Sequence, residues 1–152
     1  MYDDEYYMRE ALKEAQLAME AEEVPIGCVV VSDNGRIVGR GHNQIENLHD
    51  ACVHAELIAL SAATDYLNSK YLPHCVIYVT LEPCIMCAGA IGWLQMQRLV
   101  YGASDPKKGY TLFSPSPLHP KTKVTNSVLE RECSVLITDF FQTRRNEMGR
   151  FR

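Results

Sequence analysis

The stretch Thr80-Leu81-Glu82-Pro83-Cys84-Ile85-Met86-Cys87 joins a strand-like run to two cysteines that stand three residues apart. On a helix this spacing places both thiols on one face, and Pro83 marks where that helix is expected to begin. The partial positive charge at a helix N-terminus lowers the pKa of a thiol and so favours the thiolate that a metal requires. The stretch therefore predicts a strand that leads into a helix offering Cys84 and Cys87 to a metal.

A third metal donor lies upstream, in His54-Ala55-Glu56. Residues two apart point in different directions in mid-helix, so His54 and Glu56 can reach one site only at a helix entrance, and His54 is placed at the start of its helix. Catalytic zinc keeps three protein ligands and leaves its fourth position to water, whose pKa it lowers to about 7. His54, Cys84 and Cys87 are thus the candidate metal ligands, and Glu56 is the candidate catalytic residue that moves protons.

A structural zinc site is the competing interpretation, because a CxxC pair with a nearby histidine often holds a purely structural ion. Structural sites are closed by four protein ligands. The remaining cysteines are isolated and favour small core residues in apolar or strand-like surroundings, although the sequence leaves open that one of them folds back as a fourth ligand; they are Cys28, Cys52, Cys75 and Cys133. In a reducing compartment we expect no disulfide among the six cysteines.

The chain has 152 residues, of which 47% are hydrophobic, and this is enough for the core of one domain spanning residues 1–152. The acidic N-terminus, residues 1–7, lacks the basic and apolar regions of a signal peptide. No apolar run approaches the roughly 20 residues of a membrane span. We therefore expect a cytoplasmic protein that does not act at a membrane.

Charge is distributed unevenly along the chain, whose formal net charge is -4. Acidic side chains outnumber basic ones in residues 1–23, whereas basic side chains dominate residues 98–123 and 144–152. An acidic protein can therefore present one basic face to a nucleic acid. Taken alone, the 144–152 segment is more typical of a solvated tail.

Hydrophobic periodicity indicates the outer elements. Apolar residues recur at three- and four-residue spacing between Met8 and Met19, which predicts an amphipathic helix capped near Asp3 or Asp4 and ended before Pro25. Residues 26–31 and 36–42 flank Asp33-Asn34-Gly35, so they predict a β-hairpin. A last helix is predicted to end near Arg145, with its apolar stripe at Leu129, Cys133, Leu136, Ile137, Phe140 and Phe141.

The central part of the chain alternates between strands and helices. A helix from His54 to about Leu67, a strand over 76–80, the cysteine helix and a strand over 98–102 follow one another. This order predicts an α/β protein in which a mixed sheet lies between helices in a three-layer α/β/α arrangement. The segment from Ser104 to Lys123 has no clear periodicity, and a loop of this length is typical either of a functional lid or phosphate-binding segment or of a mobile surface loop.

These motifs belong to a longer likeness. With His54-Ala55-Glu56, the residues from Thr80 to Ala90 resemble the zinc-dependent nucleoside and nucleobase deaminase superfamily, and most closely the bacterial tRNA-specific adenosine deaminases, over 7–145. The pair H-x-E and P-C-x-x-C is the signature of these enzymes. The resemblance implies a cytidine deaminase-like fold with a central mixed five-stranded sheet.

By the same resemblance, the expected reaction is hydrolytic deamination of adenosine to inosine at the wobble position of tRNA anticodon loops, with zinc hydroxide attacking purine C6. Glu56 would carry the proton to the ring nitrogen and the leaving group. Asn43 matches a substrate-binding asparagine, while from the residues alone an ordinary turn asparagine fits equally well. The resemblance further implies one Zn²⁺ per subunit, a homodimer, and the tRNA anticodon stem-loop as partner, with Phe140 or Phe141 near the RNA.

Three departures from the family pattern keep other functions open. Asp50-Ala51-Cys52-Val53 replaces the usual Asp-Pro-Thr-Ala, Trp93 with Gln95-Met96-Gln97 replaces the usual His-Ser-Arg, and the segment 111–120 diverges. Trp93 resembles the residue that free-guanine deaminases carry there, or it could pack in a dimer interface. The alternatives are a deaminase of a free base such as guanine or of a nucleoside, and a catalytically silent zinc-stabilised RNA-binding subunit. Silent subunits typically lack the shuttle glutamate, which is present here as Glu56.

Overall fold

A computed structural model describes residues 1–149 of the chain. In chain order the elements are α1 (Asp4–Glu20), β1 (Gly27–Val31), β2 (Ile37–His42), α2 (Ile45–Leu48), α3 (Ala55–Leu67), β3 (Val76–Leu81), α4 (Ile85–Trp93), β4 (Arg98–Ala103), a 3-10 turn (Tyr110–Leu112), β5 (Lys123–Thr125) and α5 (Glu130–Gly149). None of the helices within these residues is long and apolar enough to cross a membrane.

The strands form one mixed sheet in the order β2-β1-β3-β4-β5. β1 pairs antiparallel with both β2 and β3, whereas β3 with β4 and β4 with β5 are parallel. The β1–β2 hairpin, with its turn at 33–35, was predicted. In the described residues, α4 connects the parallel strands β3 and β4, and the long loop connects the parallel strands β4 and β5. The predicted mixed five-stranded α/β sheet is confirmed.

Alternation along the strands divides the core into two layers of side chains. In β3, Ile77 and Val79 face one cluster, which includes Ala59 of α3 and Ile91 of α4. Tyr78, between them, faces the opposite cluster with side chains from α1 and α5. Helices α3 and α4 therefore cover one face of the sheet and helices α1 and α5 the other, which confirms the three-layer arrangement.

Helix α3 lies unusually close to the sheet. A Cβ built on Gly41 of β2 would collide with the carbonyl oxygen of Ala55, and one on Gly39 would collide with that of Ala59. Ala59 and Ala63 present only small side chains on the facing side, and all of these residues are buried or half-buried. The close approach fixes the N-terminal end of α3 against the sheet, and this end carries His54 and Glu56.

Helix α1 is fixed by its cap and by one polar network. The Asp3 side chain accepts a hydrogen bond from the Tyr6 backbone N–H at 2.9 Å, as an N-cap residue does. Asp4 accepts two hydrogen bonds from the Arg98 guanidinium, at 3.1 and 2.8 Å, and one from the Tyr78 hydroxyl at 2.7 Å. The network ties the first turn of α1 to β3 and β4.

The structure differs from the sequence prediction in three elements. The short helix α2 and the strand β5 were not predicted as separate elements. Helix α5 begins after Leu129, which has a positive φ of 52°, and it runs past Arg145 to Gly149. The predicted apolar stripe is only partly buried, since Cys133 is 1% exposed but Phe141 is 45% exposed. Phe140 is half-buried, and the residues from Phe141 to Met148 are exposed.

Candidate metal centre and active site

The entrance of α3 presents His54 as the N-cap residue, with φ -77° and ψ 153°. Its side chain makes no capping hydrogen bond. The first free backbone N–H of the helix, on Ala55, instead donates to the side-chain oxygen Oδ1 of Asn43 at 2.9 Å. A neighbouring residue therefore caps the helix, and the imidazole of His54 is left to face Cys84 and Cys87.

Helix α4 begins two residues after Pro83, where the sequence predicted its start. Cys84 is the N-cap, with φ -71° and ψ 173°, and the helix starts at Ile85. The backbone before it is engaged elsewhere, because the Pro83 carbonyl oxygen accepts from the Tyr110 N–H at 2.9 Å and Cys84 forms a β-bridge with Gly109. The thiols still converge, since one comes from the cap and the other from the first turn.

The three predicted donors come together. His54 Nδ1 lies 3.7 Å from Cys84 Sγ and 3.5 Å from Cys87 Sγ, and one ligand atom from each residue lies within 4.8 Å of the others. Tetrahedral zinc with bonds of about 2.3 Å to sulfur and about 2.0 Å to nitrogen separates such ligands by about 3.5 Å. No other cluster of three such donors occurs within residues 1–149. The donor set and its spacing therefore fit zinc.

The ionisation of the cluster favours a metal as well. The hydrogen bond from the Cys87 thiol, followed by that with His54, lowers the pKa of Cys84 to about 3. The pKa of Cys87 is raised, first by its hydrogen bond to Cys84 and then by burial. The hydrogen bond with Cys84 also raises the pKa of His54. The pair thus holds one thiolate, and a divalent cation between the sulfur atoms would favour the thiolate form of both.

Glu56 lies beside this cluster, at the second residue of α3, and is only 4% exposed. Burial raises its pKa to about 7. Its side chain is within hydrogen-bonding reach of Cys87, and its charge contributes to the raised pKa of Cys28, although burial is the larger cause there. Within residues 1–149, Glu56 forms no ion pair with a lysine, arginine or histidine.

The remaining cysteines do not complete a fourth ligand position. Cys28, Cys75 and Cys133 are buried in the two core clusters. Cys52 differs from the prediction, because it is exposed rather than apolar in its surroundings. It lies in the loop before α3, where its backbone N–H donates to the Asp50 side chain at 2.9 Å. All six cysteines are unpaired.

Asn43 lies outside the metal cluster, directly after β2, and is 4% exposed. Its side-chain oxygen caps α3, as described above. Asn43 also lines a cavity of about 250 Å³. Other walls of this cavity come from α5, through Phe140, Phe141 and Arg144. The predicted substrate residue is thus both a helix cap and part of a cavity wall.

The lysines of the predicted basic segment 98–123 are exposed, whereas Arg98 is bound to Asp4. Arg144 lies over the Phe140 ring, 4.9 Å from its centroid, and donates to the Glu22 carbonyl oxygen at 2.6 Å. The backbone N–H groups of Lys107 and Lys108 both donate to the Asp105 side chain, so this part of the long loop is ordered into a turn. Arg150 and Arg152 of the basic tail lie outside the described residues.

The sequence did not predict that two glutamates are buried and hold neighbouring backbone segments. Glu23 is 2% exposed, and its carboxylate accepts from the backbone N–H groups of Glu46 and Asn47 at 3.0 and 2.8 Å, which fixes the start of α2. Glu82 is 4% exposed and binds the loop that follows β4. Periodicity gives no sign of either role, because both depend on backbone donors far away in the sequence.

Comparison with known proteins identifies the family to which this zinc-binding pattern belongs. Residues 1–103 match the cytidine and deoxycytidylate deaminase zinc-binding region. The chain is 40% identical to a tRNA-specific adenosine deaminase of Bacillus subtilis over 152 aligned residues, covering 97% of this chain and 94% of that protein. It is 39% identical to a tRNA-specific adenosine deaminase of Streptococcus pyogenes over 145 residues, covering 92% of this chain and 91% of that protein.

A solved structure from a study of A-to-I editing by tRNA:A34 deaminases at the wobble position of transfer RNA superimposes with a TM-score of 0.80. Its sequence identity to this chain is 39%, and the match covers 86% of this chain and 98% of that one. Fold, donor set and sequence therefore agree. The chain belongs to the zinc-binding family of cytidine and deoxycytidylate deaminases, together with these tRNA-specific adenosine deaminases.

Proposed function

We propose that this chain catalyses the hydrolytic deamination of adenosine to inosine at the wobble position of tRNA anticodon loops. One observation carries the proposal: Glu56 is buried beside the His54, Cys84 and Cys87 cluster in a chain that is about 40% identical to tRNA-specific adenosine deaminases over nearly its whole length. A catalytically silent RNA-binding subunit does not need a buried acid at this place.

His54, Cys84 and Cys87 are the proposed ligands of one zinc ion per subunit. When bound by these three residues, zinc would supply hydroxide at neutral pH by lowering the pKa of a water molecule. The cap positions of His54 and Cys84 point both side chains away from their helices towards each other. Cys87, in the first turn of α4 and fully buried, closes the protein side of the site.

Glu56 is the proposed proton shuttle. In the overall reaction, adenosine and water give inosine and ammonia, so one proton must reach a ring nitrogen and another must reach the amino group on C6. Its carboxylate interacts with Cys87 and is not part of the His54, Cys84 and Cys87 donor cluster, which supports a role beside the proposed ligands rather than among them. Because the burial of Glu56 excludes bulk solvent, we expect the same carboxylate to accept the proton from water and to deliver it to the substrate.

Asn43 is proposed to contact the substrate while it positions α3. Its side-chain oxygen Oδ1 accepts from the Ala55 N–H, so the side-chain amide nitrogen is the group left to meet a hydrogen-bond acceptor of the base or ribose. Asn43 thereby lies between the helix entrance that carries His54 and Glu56 and the groove of about 250 Å³ beside α5. None of the proposed metal ligands lines this groove, so it is proposed as a contact for RNA next to the reacting base rather than as the pocket of that base.

The anticodon stem-loop is the proposed RNA partner, because its unpaired bases can be splayed out of the loop and inserted into a pocket. Phe140 and the Arg144 guanidinium that lies over its ring line the groove at α5, and this stacked pair is suited to contact a base or a phosphate. Lys107 and Lys108 lie on the loop that pairs with Cys84, so their exposed side chains are available for phosphates near the site.

A homodimer is the proposed assembly. Helix α4 exposes Ile85, Met86 and Trp93, which are 42%, 37% and 80% accessible, and a Cβ added at Gly89 on the same side meets no atom within 4 Å. An apolar helix face of this kind is typical of a protein interface. A second copy of the chain would cover it, and sedimentation should then give twice the 17.2 kDa mass of one chain.

The decisive experiment compares substrates. The purified zinc-loaded protein is incubated with tRNA transcripts that carry adenosine at the wobble position, with the same transcripts carrying guanosine there, and with free guanine and free adenosine. Inosine is measured by digestion and chromatography, and ammonia by a coupled assay. We expect inosine from the first transcript alone. Turnover of guanine without turnover of tRNA would replace the proposal with free-base deamination.

A further inference from the structure

Glu82 is a buried carboxylate held by hydrogen bonds to a loop. Its Oε1 accepts from the Asp105 N–H at 3.1 Å, and its Oε2 accepts from the Thr111 N–H at 3.1 Å and from the Thr111 hydroxyl at 2.8 Å. Within residues 1–149 it forms no ion pair. A buried carboxylate costs free energy unless its oxygens are satisfied, so these three donors are what keep it in place.

The loop 105–111 that Glu82 binds is also paired with the residues leading into α4. Gly109 forms a β-bridge with Cys84, and the Tyr110 N–H donates to the Pro83 carbonyl oxygen at 2.9 Å. A Cβ on Gly109 would collide with the Glu82 carboxylate, so this side chain packs against the loop backbone as closely as only glycine permits. The loop thus lies between Glu82 and Cys84 and touches both.

Cys84 depends on such support more than Cys87 does. Cys87 lies inside α4, where the helix and the core around it fix its backbone, and it is fully buried. Cys84 is the N-cap, has an extended backbone and makes no side-chain capping bond. Its orientation is therefore set by the segment that pairs with it, and that segment is held by Glu82.

We propose that Glu82 is a positioning residue for the metal site: it fixes the loop 105–111 against Pro83 and Cys84 and so holds the Cys84 thiol in ligating geometry. The inference rests on the proposed ligand role of Cys84. Partners that orient a metal ligand without touching the metal typically change metal affinity about 10- to 100-fold when they are removed. Replacing Glu82 should accordingly weaken zinc retention without touching any ligand.

The test uses Glu82→Gln in the full-length zinc-loaded protein. The amide keeps the size of the side chain but offers an NH₂ group to at least one of the three donors, so the loop loses part of its anchor. Zinc release is followed with an excess of a chromogenic chelator, alongside the unfolding midpoint in urea. We expect release to be faster by about 10- to 100-fold and added zinc to restore activity.

The matched control is Glu23→Gln. Glu23 is equally buried and also accepts two backbone hydrogen bonds, but it holds α2 rather than the loop beside Cys84. This variant should lose stability to a similar extent while releasing zinc at the wild-type rate. If both variants released zinc equally fast, a general loss of stability would explain the effect, and the positioning role of Glu82 would be rejected.

Thr111→Val covers the case in which Glu82→Gln does not fold. This substitution removes only the hydroxyl donor and leaves both backbone donors to Glu82. Zinc release should therefore accelerate by roughly 3- to 10-fold, less than for replacement of Glu82 itself. Release at the wild-type rate from Thr111→Val, or from a folded Glu82→Gln, would overturn the inference. A wild-type protein that binds no zinc would instead overturn the proposed function.

Discussion

The buried acidic side chains on the two faces of the sheet differ in their partners. One face is covered by α3 and α4, and the other by α1 and α5. On the first face, Glu56 is buried without an ion pair among residues 1–149, beside two thiols and an imidazole. On the second, Glu10 is 9% exposed but pairs with Lys13 at 2.7 Å and with Arg40 at 3.2 Å. Glu56 is therefore available for proton transfer, whereas Glu10 stabilises the contact between secondary-structure elements.

Close helix–sheet packing, by contrast, occurs on both faces. Gly39 and Gly41 admit the backbone of α3, and Gly27 admits that of α1. What differs is the helix entrance, because only the entrances of α3 and α4 bring the metal-binding donors together among the described residues. Changes at these entrances should therefore alter reaction and metal binding more than stability, and changes in the α1 network should do the reverse.

The largest expected effect comes from Cys87→Ala. Loss of one of three ligands should abolish zinc retention, and activity should fall by at least about a thousand-fold because water is no longer acidified. Cys75→Ala is the control, since Cys75 is buried on the same face but outside the cluster. It should keep zinc and lose only about 1 kcal/mol of stability. Metal content is measured by mass spectrometry, and turnover is measured on tRNA. A Cys87→Ala protein that keeps both zinc and activity would show that Cys87 is not a ligand of a catalytic zinc ion.

The metal cluster and the sheet were predictable because their signals are local. The CxxC spacing and the His54-Ala55-Glu56 order locate helix entrances, and strand alternation such as that of β3 fixes which side chains share a face. The exact start of α4 was not predictable from Pro83. It is determined by the pairing of Cys84 with Gly109, which lies far along the chain.

Elements that depend on distant partners had no sequence signal of their own. β5 has only three residues, and it becomes a strand because Val124 pairs with Leu99. The roles of Glu23 and Glu82 were missed for the same reason, since each carboxylate is defined by the backbone N–H groups that surround it. Composition favoured an exposed position for such residues, and specific hydrogen bonds overrode that preference.

The second prediction compares the two buried glutamates directly. Glu56→Gln removes the proposed proton acceptor, so turnover on tRNA should fall by about 10²- to 10⁴-fold while zinc content stays at one ion per chain. Glu10→Gln should keep turnover and lower the free energy of unfolding by about 1 kcal/mol, because it weakens two partly exposed ion pairs. Single-turnover kinetics and urea denaturation separate the two outcomes. Equal losses of turnover in both variants would show that Glu56 has no catalytic role beyond that of a buried structural glutamate such as Glu10.

The smallest expected effect tests the α1 face by its pH dependence. The hydrogen bonds from Arg98, followed by that from Tyr78, outweigh burial and lower the pKa of Asp4 below its ordinary value of about 3.9. A carboxyl with a depressed folded-state pKa stabilises the protein above the unfolded-state pKa, and this stabilisation is lost as the pH falls through the folded-state pKa. The contribution of Asp4 should therefore be complete at pH 7 and should decline below about pH 4.

Asp4→Asn should accordingly lower the free energy of unfolding by about 1 kcal/mol at pH 7, and its deficit relative to the wild type should shrink as the pH falls below 4. Asp65→Asn is the control, since this exposed aspartate of α3 forms no ion pair within residues 1–149 and should change stability by less than about 0.5 kcal/mol. Urea unfolding at pH 7 and at pH 3 measures both differences. A deficit for Asp4→Asn that is the same at both pH values would mean that the side chain stabilises α1 by its shape and neutral hydrogen bonds, because only the ionised carboxylate gains from Arg98.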